Sequence, residues 1–283
     1  MPTSPATLPG SAHALAVLTQ LLEARTGQQI SGYRSWRIDT ALKPLLRERQ
    51  LDTLDQLAAA LIVGHDPRLA DQIVDALVNG ETSFFREAPV FDTVMEAARA
   101  AEADGRRARI WSAGCSTGQE PLSLAMLFAE RQEAEGLPMP DIVATDVSES
   151  ALARARAGRF SQFEVQRGLP IRRAIRWFEN TPQGEWIADR DLVRHVSFRP
   201  LNLVAECWPP GRFDVILCRN VLLYLSTELK SAVFARLAGV LRPGGLLVLG
   251  AGETVIGQTD RFEPSRRFRG FYEVSPTEAR AAA

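Results

Sequence analysis

From Arg109 onward, short apolar runs alternate with stretches of helical periodicity, and that alternation restricts the fold more than any other feature. Residues 110–113, 142–144, 215–218 and 246–249 are apolar or small throughout. Strands buried on both faces read this way, and the helical stretches between them supply the cover. The pattern predicts an α/β unit built on a mostly parallel sheet. A further core strand ends at Phe198-Arg-Pro, and Phe271-Tyr-Glu-Val suits a late edge strand. Between residues 160 and 200 the alternation breaks into an arginine-rich stretch with Trp177, Gly184 and Trp186. That stretch is too long for a simple crossover, so it is expected to be an inserted β-subdomain of a few antiparallel strands.

The first 95 or so residues follow a different rule. Ser11 caps a helix that places Leu15, Leu18, Leu21 and Leu22 on one face. A second helix is expected over residues 39–49. A third follows the capping box Thr53-x-x-Gln56 and carries Leu54, Leu57, Leu61 and Ile62. Asp66-Pro67 opens a fourth, with Leu69, Ile73, Leu77 and Val78 at helical spacing. No strand is expected before residue 108. The organisation expected is therefore a small all-helical domain over 1–95 and an α/β domain over 96–283.

Composition excludes several classes of function. At 46% hydrophobic and 24% charged residues the balance is globular, and a net charge of −1 gives no basic field for nucleic acid. No apolar run reaches the roughly 18 residues of a membrane span. Cys115, Cys207 and Cys218 are odd in number and lack metal-ligand spacing, as expected of reduced cytoplasmic thiols and of a chain without a metal.

Chemistry concentrates at strand ends. Arg109-Ile-Trp-Ser-Ala-Gly-Cys-Ser-Thr-Gly-Gln-Glu-Pro reads as a strand, a small-residue turn with Gly114 and Gly118, and a helix start. Such a turn lets a ligand approach the backbone and the helix N-terminus. It also reads as a plain turn with a capping box, Thr117-x-x-Glu120. Asp146 closes the next strand, where an acid can bind ribose hydroxyls or simply cap the following helix. Asn202 and Leu203 follow the third strand as an amide and an apolar wall for an adenine. Arg219 and Asn220 follow the fourth. Ligands of open α/β sheets bind beyond the carboxyl ends of the strands, so four agreeing ends outweigh any one. The turn lacks G-x-G-x-x-G and no Gly-Lys-Ser/Thr is present, which points to a nucleoside cofactor without pyrophosphate: S-adenosylmethionine.

Five motifs resemble the chemotaxis receptor methyltransferases, the CheR family. They are Glu81-Thr-Ser-Phe-Phe-Arg86-Glu, Ser112-Ala-Gly-Cys-Ser-Thr-Gly-Gln-Glu120-Pro, Ala144-Thr-Asp146, Cys218-Arg-Asn220-Val-Leu-Leu-Tyr224 and Leu241-Arg-Pro-Gly-Gly. Their order and spacing match over residues 11–275. The resemblance implies a class I (Rossmann-like) methyltransferase domain behind the helical domain. It implies methyl transfer from S-adenosyl-L-methionine to glutamate side chains of methyl-accepting chemotaxis receptors, leaving S-adenosyl-L-homocysteine and glutamyl methyl esters used for adaptation. By resemblance, Thr82, Arg86, Glu120, Asp146, Asn202, Leu203, Arg219 and Asn220 surround the cofactor, and Arg86 and Tyr224 face the reacting carboxylate. One departure is visible: where the family often has Asn two places before the threonine, this chain has Gly80, with Asn79 one place earlier.

A glutamate acceptor is ionised at neutral pH, so no general base is expected. His13, His65 and His195 accordingly carry no partner pattern, and Cys115 and Cys218 read as structural. Arg34, Arg37, Lys43, Arg47 and Arg49 outnumber Asp39 and Glu48 between residues 33 and 50, and Lys43, Arg47 and Gln50 share a helical spacing. That face is expected to dock the acidic cytoplasmic receptor helices. The family's β-subdomain binds a receptor C-terminal pentapeptide tether in some members. The stretch between Phe178 and Phe198 is short, so independence from the tether is expected. The expected location is the cytoplasm, transiently at receptor arrays, with no nucleic acid and no membrane insertion. A small-molecule methyltransferase and a non-catalytic cofactor-sensing scaffold remain the alternatives.

Overall fold

The computed structural model describes residues 11–30, 35–64, 66–103, 105–205 and 208–275. The chain forms two compact units, one of Met1–Asn79 with Tyr224–Ser226, the other of Gly80–Leu223 with Thr227–Ala283.

The first unit is helical, as the periodicity requires. Helix α1 (Ala12–Thr26) starts at Ser11, whose hydroxyl accepts from the Ala14 N–H, and stops at the left-handed Gly27. Helix α2 (Ser35–Glu48) begins four residues before its expected start. Helix α3 (Leu54–Gly64) carries the capping box: Thr53 Oγ1 accepts from the Gln56 N–H at 3.2 Å and Gln56 Oε1 from the Thr53 N–H at 3.4 Å. Helix α4 (Pro67–Leu77) is capped by Asp66. Leu18, Leu22, Ile38, Leu42, Leu57 and Ile73 close the core between them, each essentially inaccessible. Residues 224–226 join this unit through a bridge between Gln28 and Leu225 and a 2.8 Å bond from the Gln29 N–H to the Tyr224 carbonyl.

The second unit opens with helix α5 (Pro89–Ala103), which the sequence reading did not anticipate. Its Phe91, Val94 and Ala98 are buried against the sheet, so the division between units falls at Asn79/Gly80 and not near residue 95. Strand β1 (Arg109–Ala113), helix α6 (Gln119–Glu135), strand β2 (Asp141–Asp146) and helix α7 (Glu149–Ala157) follow in βαβα order. The insertion then supplies β3 (Arg159–Ser161), α8 (Gln162–Gln166), α9 (Ile171–Trp177), β4 (Phe178–Asn180), β5 (Glu185–Ala188) and α10 (Arg190–Arg194). Its strands form a separate antiparallel sheet in the order β3-β5-β4.

The chain returns to the main sheet with β6 (Val196–Pro200) and β7 (Phe213–Cys218), continues through helix α11 (Thr227–Val240), and ends with β8 (Leu241–Leu249), β9 (Phe262–Pro264) and β10 (Phe271–Val274). The seven strands run β6-β2-β1-β7-β8-β10-β9. The first five are mutually parallel and β10 is antiparallel to both its neighbours. This is the mostly parallel α/β arrangement that the sequence predicts. Two details differ. Strand β10 is not at the edge, because β9, too short to announce itself in the sequence, covers it. The Arg-Pro-Gly-Gly turn does not precede the fifth strand but interrupts it: Leu241 pairs with Phe213, and the register then shifts so that Leu246 pairs with Val215.

Phe84 joins the insertion to the rest of the unit. It is fully buried, edge-on to Phe160 at 5.0 Å and to Phe178 at 5.5 Å. Gly168 also packs there, with a left-handed φ of 93° and a backbone so close that a Cβ would lie 2.2 Å from the Phe84 carbonyl oxygen. Phe84→Ala should therefore lower stability by about 3–5 kcal/mol, read as a shift of the denaturant midpoint.

Candidate cofactor site

Strands β6, β2, β1 and β7 are adjacent and parallel, so their carboxyl ends open onto one edge of the sheet. Beyond β1 the chain turns sharply: the Gly114 and Cys115 N–H groups both donate to the Thr145 carbonyl, at 2.8 and 2.9 Å. Gly114 has φ of 78°, and a Cβ there would lie 2.4 Å from Val221 Cγ2, so no larger residue fits. The turn brings the Ser116 N–H to Asp146 Oδ2 at 2.7 Å, while the Ser148 N–H reaches Oδ1 at 2.9 Å. Asp146 is thereby held with both oxygens oriented by backbone donors. Capping of α7 belongs to Ser148, whose hydroxyl accepts from the Ala151 N–H.

The capping box expected at Thr117 and Glu120 does not form. Helix α6 has Gly118 at its N-cap with no side-chain cap, and the Thr117 hydroxyl donates instead to Gln119 Oε1 at 2.8 Å. Glu120 is turned inward to other work. Its Oε1 accepts from the Ser112 hydroxyl at 2.7 Å and its Oε2 from Arg219 Nη1 at 2.8 Å.

Arg219 is the centre of the arrangement. Its side chain is only 2% exposed, yet it pairs with Glu120 and, through Nη2, with Glu87 at 3.0 Å. Nη2 also donates to the Arg86 carbonyl at 2.8 Å. Burial alone would lower the pKa of this guanidinium, but the Glu120 and Glu87 carboxylates outweigh it and hold the value above the ordinary one. Segment 80–88 is fastened at three more points. The Ser116 hydroxyl donates to the Gly80 carbonyl at 2.7 Å, the Phe85 N–H donates to Ser123 Oγ at 3.1 Å, and Phe84 is packed as described. Phe85 and Glu87, at φ of 49° and 59°, take left-handed conformations unusual for their residue types.

The remaining expected residues fall as follows. Thr82 and Arg86 are half-buried in this segment, Arg86 Nη1 reaching the Glu81 carbonyl at 3.4 Å. Asn202 Oδ1 accepts from the Val204 N–H at 3.1 Å in the turn after β6, and Leu203 is 8% exposed beside it. Asn220 is left-handed, with φ of 60°, and donates its N–H to Glu253 Oε2 at 2.6 Å. Tyr224 belongs to the helical unit, where its hydroxyl accepts from Asn79 Nδ2. Glu253 escaped the sequence reading, although a carboxylate three residues past the strand-end Gly250 was its signal. It also accepts from the Gly250 and Leu223 N–H groups and so shapes the turn after β7. Cys115 and Cys218 are buried. Burial, reinforced by the Asp146 and Glu120 carboxylates for Cys115 and by Glu253 and Glu120 for Cys218, pushes both thiols well up, away from nucleophilic use. His13 and His195 lie at helix ends, while His65 and Cys207 fall outside the described residues.

The donor set fits S-adenosylmethionine. Asp146 at the end of β2 and Glu120 in the first turn of α6 disfavour a pyrophosphate and suit ribose hydroxyls and a cationic cofactor. The α6 N-terminus lacks a side-chain cap, and Arg219 Nε is buried without a hydrogen bond among the described residues. No group of His, Cys, Asp or Glu among the described residues is placed to hold a metal. Arg219→Met should cost about 3–5 kcal/mol in unfolding free energy, because it leaves Glu120 and Glu87 without their counter-ion. Adding Glu120→Gln should recover part of that loss in the same measurement.

Known proteins resemble the chain over most of its length. Residues 80–270 match the family model described as CheR methyltransferase, SAM binding domain. The chain is 37% identical to a chemotaxis protein methyltransferase of Vibrio parahaemolyticus, over 88% of this chain and 91% of the relative. It is 34% identical to chemotaxis protein methyltransferase 1 of Pseudomonas aeruginosa (86% and 90%) and 29% identical to the Escherichia coli chemotaxis protein methyltransferase (87% and 85%). With that match and the strand-end site together, the chain belongs to the CheR family of S-adenosylmethionine-dependent methyltransferases.

Proposed function

We propose that the chain methylates glutamate side chains on the cytoplasmic helices of methyl-accepting chemoreceptors, forming methyl esters that serve adaptation. The observation that carries this reading is the fastening of segment 80–88 onto the strand ends by Arg219, Ser116 and Ser123. It holds Arg86, a planar fork suited to a carboxylate, beside the edge where the cofactor fits.

The residues proposed to hold the cofactor are Thr82, Arg86, Glu120, Asp146, Asn202, Leu203, Arg219 and Asn220. When bound, it supplies a methyl group on a positively charged sulfur. The acceptor carboxylate is already anionic near neutral pH, its ordinary pKa being about 4.3, so the protein has no proton to remove. Its task is alignment, which can supply up to about 7–11 kcal/mol of the barrier in favourable cases. Arg86 holds the carboxylate by paired N–H donors, and Tyr224 donates one further bond to it. Asp146 orients the nucleoside, and Arg219 fixes the Glu120 side chain.

The receptor surface proposed is smaller than the charge count implied. Arg37 is bonded to Asn79, and Arg49 pairs with Asp66 at 3.5 Å. Gln50 lies past the end of α2, and Arg34 lies outside the described residues. Lys43 and Arg47 stay exposed one turn apart on α2, and these two are proposed to meet acidic receptor helices, without a pentapeptide tether.

Calorimetric titration with S-adenosylhomocysteine should show micromolar or tighter binding that collapses in Asp146→Ala. Methyl transfer to a chemoreceptor cytoplasmic fragment should yield a product that releases methanol in base; a base-stable product would refute the ester. Lys43→Glu with Arg47→Glu should raise KM for the fragment and leave the calorimetric affinity unchanged, and a receptor C-terminal pentapeptide should show no micromolar binding.

A further inference from the structure

Within the helical unit, three side chains form a line whose hydrogen-bond polarity has one solution. Arg37 Nη2 donates to Asn79 Oδ1 at 3.0 Å, and Asn79 Nδ2 lies against the Tyr224 hydroxyl oxygen. A guanidinium can only donate, so the face of the Asn79 amide turned to Arg37 must be its oxygen. The other face must then be the NH2 group, which can only donate. The Tyr224 oxygen therefore accepts from Asn79, and its own proton has to be given elsewhere.

The origins of the three residues make the arrangement specific. Arg37 lies in the first turn of α2, Asn79 is the last residue of the unit before the chain crosses to the other, and Tyr224 ends a 3-10 turn contributed from much later in the chain. Residues 224–226 are held in the helical unit by the Gln28–Leu225 bridge and the Gln29–Tyr224 backbone bond. Asn79 stands one place before the position where an Asn was expected from the resemblance, and Gly80 occupies that position. The displaced amide is not idle.

We propose that Asn79, oriented by Arg37, is a positioning residue that fixes the Tyr224 hydroxyl as a hydrogen-bond donor toward an anionic acceptor. The inference deepens the reading of Tyr224 as a group that faces the acceptor carboxylate and rests on it. Without Asn79 the hydroxyl can rotate and present its lone pairs to the acceptor carboxylate, which turns that group out of line for transfer while the rest of the receptor helix stays docked. A carboxylate at position 79 reverses the line: it draws in the Tyr224 proton and leaves only lone pairs facing outward.

Asn79→Asp tests this, with Tyr224→Phe, Arg37→Gln and Arg37→Lys as companions in the full chain. With a chemoreceptor cytoplasmic fragment as acceptor, Asn79→Asp should lower kcat by about tenfold to a hundredfold, comparable to Tyr224→Phe. KM for the fragment should change far less. In the Tyr224→Phe background Asn79→Asp should have no further effect, whereas multiplying losses would overturn the proposal. Arg37→Gln frees the amide to flip and should lower kcat, and Arg37→Lys, again a pure donor, should restore most of that loss. A second readout does not depend on turnover. The Cζ resonance of 13C-labelled Tyr224, assigned by its absence from Tyr224→Phe, should move in Asn79→Asp and in Arg37→Gln and return in Arg37→Lys. A resonance indifferent to position 79 would sink the proposal even if the wild type transfers methyl groups. Absence of transfer by the wild type, with the resonance responding as stated, would leave the hydrogen-bonded line standing and remove its catalytic purpose.

Discussion

A guanidinium buried to 2% exposure is tolerable only where carboxylates surround it, and Arg219 has two. That pairing organises the candidate site. One carboxylate, Glu120, comes from the first turn of α6; the other, Glu87, comes from the segment that follows the helical unit. Because Arg219 is desolvated, its carboxylate partners cannot leave it without stranding a buried charge. The ends of β7 and α6 and the turn at 84–88 are thus tied at one point. The same point is where the four strand ends open.

The backbone is bent to serve this arrangement. Ser116, Phe85, Glu87 and Asn220 all adopt positive φ without being glycine, and each lies on the cofactor edge or on the segment fastened to it. Such conformations cost energy and persist where surrounding contacts over-determine them. Here those contacts are visible. Asp146 takes the Ser116 N–H, Ser123 takes the Phe85 N–H, and Glu253 takes the Asn220 N–H. In each case a side chain from another element satisfies the backbone donor that the bend exposes. Side-chain acceptors of this sort shape the site as much as the residues expected to touch a ligand.

The parallel core strands, the helices of the first unit and the strand-end positions of Asp146, Asn202, Arg219 and Asn220 are legible from periodicity and capping, since these are local properties. What escaped was what depends on contacts distant in sequence. Helix α5 carries an ordinary apolar stripe, but its place against β7 is set by the sheet, and the boundary at 79/80 moves with it. Strand β9 has three residues and exists because β10 offers it an edge. Thr117 and Glu120 match a capping box in letters. The box fails because Glu120 gains more from a buried arginine 99 residues away than from its own helix start.

The sequence by itself determined the class of fold, the edge of the sheet that forms the candidate site and the types of residue gathered there. Those follow from apolar periodicity, turn residues and the order of strands, each written in a few consecutive positions. Only the tertiary structure decided what those residues are doing. It turned Arg37 from a basic surface toward Asn79, gave Asn79 a hydrogen-bond partner in Tyr224, and bound Glu120, Glu87 and Arg219 into one ion cluster. Hydrogen bonds and ion pairs act over about 3 Å in space, and no pattern of neighbours along the chain states which residues will meet at that distance.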